Sequence, residues 1–132
     1  MITEDYVSFE TAKLLKEKGF NEKCRTYYKV FPESRIAAIY HSSENRGVSE
    51  DDPNEILCPT LQMAMKWLRE VHNLFIFPFP QINTNKFWTE IYQLSDNQEW
   101  ENIYCESIDL QDYSTYEEAC EAAIKYCLEN LI

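Results

Sequence analysis

The sequence predicts a single α+β domain in which three helices pack on one face of a mainly antiparallel sheet, in the order α-β-β-α-β-β-α. Two patterns support this prediction. Three segments begin with a hydroxyl residue, a large apolar residue, Glu or Gln, any residue and Ala, starting at Ser8, Thr60 and Thr115. Each leads into apolar residues with helical spacing, and a Ser or Thr before a helix can cap its free N–H groups. The intervening runs alternate apolar and polar residues, which is typical of half-buried strands. A chain of 132 residues is long enough to bury one core.

The first half of the chain is predicted to form a helix, a hairpin and a long loop. Gly19 suits the left-handed residue after a helix, and Phe20 supplies the apolar contact that accompanies such a cap. The link at 31–35 is short enough for a hairpin, whereas the turn formers and acids of the following segment indicate a loop. The predicted elements are a helix over 9–18, strands over 24–30 and 36–40, and a long acidic loop over 42–57.

The second half is predicted to form a helix, two or three strands and a last helix. Pro78 and Pro80 either end the first of these strands or place it at a sheet edge, because proline has no N–H for strand pairing. Trp88, Tyr92 and Leu94 alternate along the next strand, with Glu90 between them on the same face. The predicted elements are helices over 61–72 and 116–130, strands over 74–77 and 87–94, and a further strand over 100–108.

The charge distribution excludes some partners and favours others. The formal net charge is −11. A strongly acidic surface repels nucleic acid and attracts basic proteins. Residues 13–35 differ from the rest, since they hold seven Lys or Arg residues and three Glu. A solvated helix face explains this segment, and direct nucleic-acid binding is the alternative.

The composition predicts a soluble cytoplasmic protein without disulfides. No apolar run has the length of a membrane span. The segment over residues 1–5 is acidic and lacks the basic and apolar regions of a signal peptide. The five cysteines are odd in number and form no C-x-x-C pair. We therefore expect free cysteines that serve as small core residues.

No catalytic, cofactor or metal motif is present in the sequence. With Gly19 and Gly47 as its two glycines, the chain cannot form the glycine-rich loops that cradle phosphates. The acids between Glu50 and Glu55 lack the glycine of a calcium loop, so a solvated loop is expected there. No local signature pairs a cysteine with His41 or with the other histidine, His72. We therefore predict no catalytic residue, no cofactor and no metal ligand.

Aromatic side chains on the predicted strands are the best candidates for an interaction surface. Tyr27 lies between Arg25 and Lys29, and such a combination can stack and neutralise nucleic acid. Glu90 lies among aromatic residues, where it is the best single candidate for a general acid if the protein is an enzyme. A position at an exposed sheet edge, or a pair with an Arg or Lys, is the alternative for this residue. Aromatic strand residues are also common in protein-contact surfaces. The candidate residues are Arg25, Tyr27, Lys29, Trp88, Glu90 and Tyr92.

Three segments of the chain resemble a group of small uncharacterised proteins encoded by phages and prophages of gut bacteria. They are YVSFETAKLLKEKGF at 6–20, PTLQMAMKWLREVHN at 59–73 and YEEACEAAIKYCL at 116–128. The resemblance covers all three predicted helices. It implies an origin in a mobile element and brings no activity and no catalytic residue.

These observations favour a non-enzymatic accessory protein that binds another protein in the cytoplasm of a bacterial host. The acidic composition, the aromatic strands and the lack of a catalytic motif support this hypothesis. Two alternatives stay open. The first is nucleic-acid binding through residues 13–35, or mimicry of DNA by the acidic remainder. The second is a small enzyme that uses Glu90 or a Cys–His pair.

Overall fold

The computed structural model describes residues 1–47, 52–105 and 113–132, and it confirms the α+β class. The chain divides into two compact units, Met1–Thr60 and Leu61–Ile132. Among the described residues, each unit contains one antiparallel three-stranded sheet, so the predicted element order gains two strands. The elements are α1 (Phe9–Glu17), β1 (Cys24–Phe31), β2 (Ile36–Arg46), β3 (Glu55–Leu57), α2 (Leu61–His72), β4 (Leu74–Pro80), β5 (Phe87–Leu94), β6 (Trp100–Cys105) and α3 (Tyr116–Asn130).

The first unit is a sheet in the order β2-β1-β3 with α1 packed against it. Tyr28 in the central strand lies opposite Ile39 of β2 and Ile56 of β3. Its ring meets that of Phe9 edge to face, with 5.4 Å between the centroids. Its hydroxyl donates to the carbonyl of Val7 at 3.0 Å. These contacts place α1 on the Tyr28 face of the sheet.

Both ends of α1 have the predicted caps. The Ser8 hydroxyl accepts a hydrogen bond from the backbone N–H of Thr11. At the other end Gly19 has a φ of +93°, a conformation that glycine adopts without strain. The backbone N–H of Phe20 donates to the carbonyl of Leu15 at 2.9 Å, and the Phe20 side chain is buried. This bond and this burial are those of a Schellman cap, which the sequence predicted.

The loop predicted over residues 42–57 is shorter at both ends. β2 continues to Arg46, and β3 begins at Glu55, which pairs with Lys29. Arg46 lies opposite Cys24 after an irregular register, and Glu55, Ile56 and Leu57 pair with β1, which gives their backbone groups partners in the sheet. Residues 48–51 lie outside the described part of the chain.

The second unit is a sheet in the order β4-β5-β6 with α2 and α3 packed against it. Ile91 at the centre of β5 is fully buried and lies opposite Ile76 and Tyr104. The Tyr104 ring stacks on Tyr126 of α3, with 3.9 Å between the centroids. The buried residues of the two helices are Leu61, Ala64, Met65, Trp67, Leu68, Ala119, Cys120, Ala123, Ile124, Cys127 and Leu128.

The two prolines of β4 lie in an edge strand, which is one of the two alternatives for that segment. β4 extends to Pro80, and Pro78 pairs with Thr89 of β5. An edge strand tolerates proline because alternate residues of that strand need no N–H for pairing, since their N–H side faces solvent. β6 confirms the further strand over Trp100–Cys105, and residues 106–108 of that prediction lie outside the described residues.

We expect Thr115→Ala to lower the free energy of unfolding by about 1 kcal/mol. The Thr115 hydroxyl caps α3 by accepting from the backbone N–H of Glu118 at 3.0 Å. Thr115→Ser keeps this acceptor and serves as the matched control. Urea denaturation followed by circular dichroism measures both variants. Equal losses in the two variants would contradict the assignment of the cap.

Candidate functional site

Alternate side chains of β5 point to opposite faces of the second sheet. Thr89 and Ile91 are fully buried on the face that packs against the helices. Trp88, Glu90 and Tyr92 point to the other face and are half-buried. The structure therefore confirms that these three predicted site residues share one face.

Neighbouring strands add further aromatic residues to this face. Residues that lie opposite each other in an antiparallel pair project to the same side. Phe77 lies opposite Glu90, and Phe79 lies opposite Trp88. We call the set formed by Phe75, Phe77, Phe79, Trp88, Glu90, Tyr92 and Trp100 the aromatic face.

The phenylalanines of β4 are the site residues that the sequence analysis missed. Their signal is the alternation in LFIFPFP, where every second residue is phenylalanine. The predicted strand ends at residue 77, so the third phenylalanine, Phe79, falls outside it. A strand continued through Pro78 places all three on one face.

The rings of the aromatic face contact one another in pairs. Ring centroids are separated by 4.7 Å for Phe75 and Trp100, 5.6 Å for Phe77 and Tyr92, and 5.2 Å for Phe79 and Trp88. The first two pairs are edge to face, an arrangement that the charge distribution of aromatic rings favours. Each of these six rings therefore contacts a neighbour within the face.

This face is partly open to solvent. The exposed fractions are 41% for Phe77, 37% for Phe79 and 55% for Trp100. Isolated exposed apolar residues are normal on protein surfaces, whereas adjoining ones mark interaction sites. The face therefore has the character of a contact surface.

Glu90 brings a carboxylate into this aromatic surrounding. The Tyr92 hydroxyl donates to its Oε2 at 3.0 Å, and the Asn102 side-chain amide lies 3.5 Å from the same hydroxyl oxygen. These contacts orient the carboxylate as a hydrogen-bond acceptor at the centre of the face.

The other three predicted site residues share a face of β1 in the first sheet. Tyr27 stacks on Tyr40, with 5.7 Å between the ring centroids and 18° between the ring planes. Arg25 is exposed. Lys29 Nζ lies 3.8 Å from Asp52 Oδ2, so an acid from the predicted loop offsets its charge. This face is therefore less basic than its sequence indicated.

The structure divides the six predicted site residues between two sheets, whereas the sequence analysis placed them on a single sheet. Tyr28 and Tyr104, which added to the aromatic count of that sheet, lie on the faces that pack against α1 and α3. The aromatic face of the second sheet is the larger cluster, and it is the candidate functional site.

The contacts of Cys24 do not favour a Cys–His nucleophile. Cys24 Sγ lies 3.4 Å from the carbonyl oxygen of Thr26, and burial raises the pKa of its thiol. A nucleophilic cysteine requires the opposite shift, because the thiolate is the reactive form. His41 Nδ1 lies 3.0 Å from the Thr26 hydroxyl.

Neither a metal cluster nor a membrane span is found in the part of the chain that the structure describes. Within residues 1–47, 52–105 and 113–132, no group of three or more His, Cys, Asp or Glu side chains is arranged to hold a metal ion. Glu50 and Asp51 of the acidic segment lie outside these ranges. The helices in these ranges are all too short or too polar to cross a bilayer.

Comparison of the chain with protein-family models, curated proteins and solved structures found no match. The case for the candidate site therefore depends on the arrangement of its own residues. That geometry is a partly exposed layer of aromatic rings around one carboxylate.

We expect Cys120 and Cys127 to resist alkylation by iodoacetamide in the folded protein. Burial raises the pKa of Cys120 to about 11 and that of Cys127 to about 12, so little thiolate forms at mildly alkaline pH. Site-resolved mass spectrometry before and after denaturation in urea measures the modification. A cysteine introduced by Ser43→Cys at an exposed position is the reactive control. Modification of the two native thiols at the rate of this control would contradict the expectation.

We expect the stability of the protein to decrease as His72 becomes protonated. The His72 ring packs against Trp67 at 4.8 Å between centroids, its Nε2 is buried without a hydrogen bond among the described residues, and burial lowers its pKa. Because the unfolded chain then binds the proton more tightly, stability is present above the ordinary histidine pKa of about 6.5 and is lost as the pH falls through the lower, folded-state pKa.

Denaturation in urea at neutral pH and at about pH 5 measures this loss. His72→Gln removes the titrating group, so the variant should lose less stability than the wild type between the two pH values. His41→Gln is the matched control. Equal losses in the wild type and His72→Gln would show that other groups cause the pH dependence.

Proposed function

We propose that this protein is a non-enzymatic binding protein that docks another protein on its aromatic face. The observation that carries the proposal is the contiguous set of partly exposed rings on β4, β5 and β6. Aromatic residues are enriched in protein interfaces, where a few of them supply most of the binding energy.

The packing of the second unit explains why these rings are available to a partner. α2 and α3 pack against this sheet, and the core residues Thr89 and Ile91 are fully buried on the side opposite the aromatic face. The core of this unit is therefore built on one side of the sheet. Rings on the other side contact each other and solvent, and covering them would remove further apolar surface from water.

Charge supports a protein partner more than a nucleic acid. The net charge of −11 repels a polyanion. Lys29, one of the basic residues beside Tyr27, is paired with Asp52. Nucleic-acid binding through Arg25 and Tyr27 is the second candidate, and the stacked Tyr27 and Tyr40 rings are the observation in its favour.

The proposal includes the setting in which the protein acts. We infer an accessory role in the cytoplasm of a bacterial host that carries a phage or prophage. This part of the proposal rests on the resemblance of residues 6–20, 59–73 and 116–128 to small proteins encoded by phages and prophages of gut bacteria.

We expect Phe77→Ser to reduce capture of the partner from a bacterial lysate by roughly tenfold or more, because loss of an interface anchor costs about 2 kcal/mol or more. Phe77 lies at the centre of the aromatic face with 41% of its surface exposed. The matched control is Ile39→Ser, an exposed strand residue of the first sheet with 43% of its surface exposed. Quantitative mass spectrometry of nuclease-treated lysate measures the captured proteins.

Three results would distinguish the candidates. Loss of capture in Phe77→Ser alone supports docking on the aromatic face. Equal capture by the wild type and Phe77→Ser would contradict it. Capture that disappears with nuclease, and that Tyr27→Ser reduces, would favour the nucleic-acid candidate. Circular dichroism of each variant confirms that it is folded.

A further inference from the structure

We propose that this protein pairs with a second copy of itself through β2, in an antiparallel arrangement that joins the three-stranded first sheets of the two copies into one continuous sheet. β2 belongs to the first sheet, so this surface does not include the aromatic face, and the inference is independent of the proposed function. The pairing is inferred from the backbone edge of β2, from the side chains along it and from the charge of the first unit.

The outer edge of β2 is available for an added strand. Among the described residues, β2 pairs with β1 alone. Alternate N–H and C=O groups of such an edge strand point away from the sheet. The side chains here are accessible, since 43% of Ile39 and 40% of Tyr40 is exposed. We call residues 36–43 the open edge, because the next backbone N–H, that of Glu44, already donates to the Ser42 hydroxyl at 3.3 Å.

The other sheet edges in the part of the chain that the structure describes have features that oppose strand addition. β3 has only three residues. β4 contains Pro78 and Pro80, which have no N–H to donate. In β6 the Tyr104 N–H already donates to the Asn102 side chain at 3.2 Å. The open edge contains no proline and no Lys, Arg, Asp or Glu, which are the residues that protect an edge from pairing.

A second copy of β2 is complementary to this edge in side-chain size. In the antiparallel register centred on Ile39, this residue lies opposite its own equivalent, Ala38 lies opposite Tyr40, and Ala37 lies opposite His41. Each alanine therefore faces a large residue on the same side of the sheet. Because the open edge has no Lys, Arg, Asp or Glu, the register brings no like charges of these residues together. Pairing would also remove exposed surface of Ile39 and Tyr40 from water.

The charge distribution favours contact between two copies through the first unit. Residues 1–60 hold eight Lys or Arg and eleven Asp or Glu, whereas residues 61–132 hold four and twelve. Most of the net charge of −11 therefore belongs to the second unit. Because like charges oppose association, two first units approach each other at a lower cost than two second units. This difference favours self-pairing at β2 over self-pairing on the aromatic face.

The proposed pairing ends with two copies. Both copies use the same strand, so the interface is related by a two-fold axis and occupies the open edge completely. The outer strand that is left at each end of the joined sheet is β3, with three residues. So short an edge offers little to a third copy, and we expect a dimer and not a fibre.

Sedimentation equilibrium of the wild type over a range of micromolar concentrations tests the inference, and we expect a reversible monomer–dimer equilibrium. Ile39→Lys places like charges opposite each other at the centre of the register and should weaken the dimer by roughly tenfold or more. Val71→Lys introduces the same charge at a residue of α2 with 54% of its surface exposed, and this matched control should leave the dimer unchanged. A wild type that is monomeric at every concentration, or equal weakening by both variants, would overturn the inference.

A mixture of two variants tests the register. Ile39→Glu opposes pairing with its own copy as Ile39→Lys does, so each variant alone should be mainly monomeric. In an equal mixture an introduced carboxylate faces an introduced ammonium, and dimers should form again. Circular dichroism confirms that each variant is folded. A mixture of folded variants that stays as monomeric as its components would overturn pairing centred on Ile39.

Phe77→Ser separates this interface from the aromatic face. It should keep the dimer, and Ile39→Ser, which adds no charge, should weaken the dimer less than Ile39→Lys does. If Phe77→Ser loses the dimer and Ile39→Lys keeps it, the copies meet through the aromatic face and the inference fails. Loss of partner capture in Phe77→Ser with an intact dimer supports both the proposed function and the pairing through β2. Retained capture in Phe77→Ser contradicts the proposed function alone.

Discussion

The pairing of β5 with strands on both sides is the constraint on which the candidate site depends. Side chains alternate along a strand, so the register that buries Ile91 against the helices also places Glu90 and Tyr92 on the opposite face. A slip of one residue would exchange the two faces. It would place the Glu90 carboxylate in the core, where an unpaired charge is strongly unfavourable. The composition of the core therefore holds the aromatic face in place.

The same principle operates in the first unit with a different result. β1 buries Thr26 and places Tyr28 against Phe9 of α1, while Tyr27 and Lys29 point the other way. On that outer face a single tyrosine stack adjoins an ion pair with Asp52. Opposite charges that already satisfy each other contribute little to binding a partner. In both sheets the alternation of side chains separates a buried face from an outer face. The outer face of the second sheet has the larger cluster of aromatic rings.

Recognition by the aromatic face would combine two terms that differ in range. Burial of rings supplies affinity at contact distance, and charge on the acidic chain acts over about 8 Å in physiological salt. Glu90 joins the two, since it is a charge held within the apolar contact area.

Short-range chemistry allowed much of the fold to be predicted. The caps at Ser8 and Thr115, the turn at Gly19 and the alternation in β5 each depend on residues close together in sequence. The sequence analysis also grouped Trp88, Glu90 and Tyr92 correctly for this reason. β3 was missed because it has only three residues, which follow a run of turn formers and acids and become a strand by pairing with β1.

The sequence by itself determined the three helices, most of the strands, the α+β class and which residues share a face within each strand. Only the tertiary structure decided which strands lie side by side. That decision separated Tyr27 from Trp88 into two sheets and brought Phe77 opposite Glu90. The physical reason is that caps and side-chain alternation are local properties of the backbone. Strand pairing joins distant residues, and it is selected by the packing of the whole sheet against its helices.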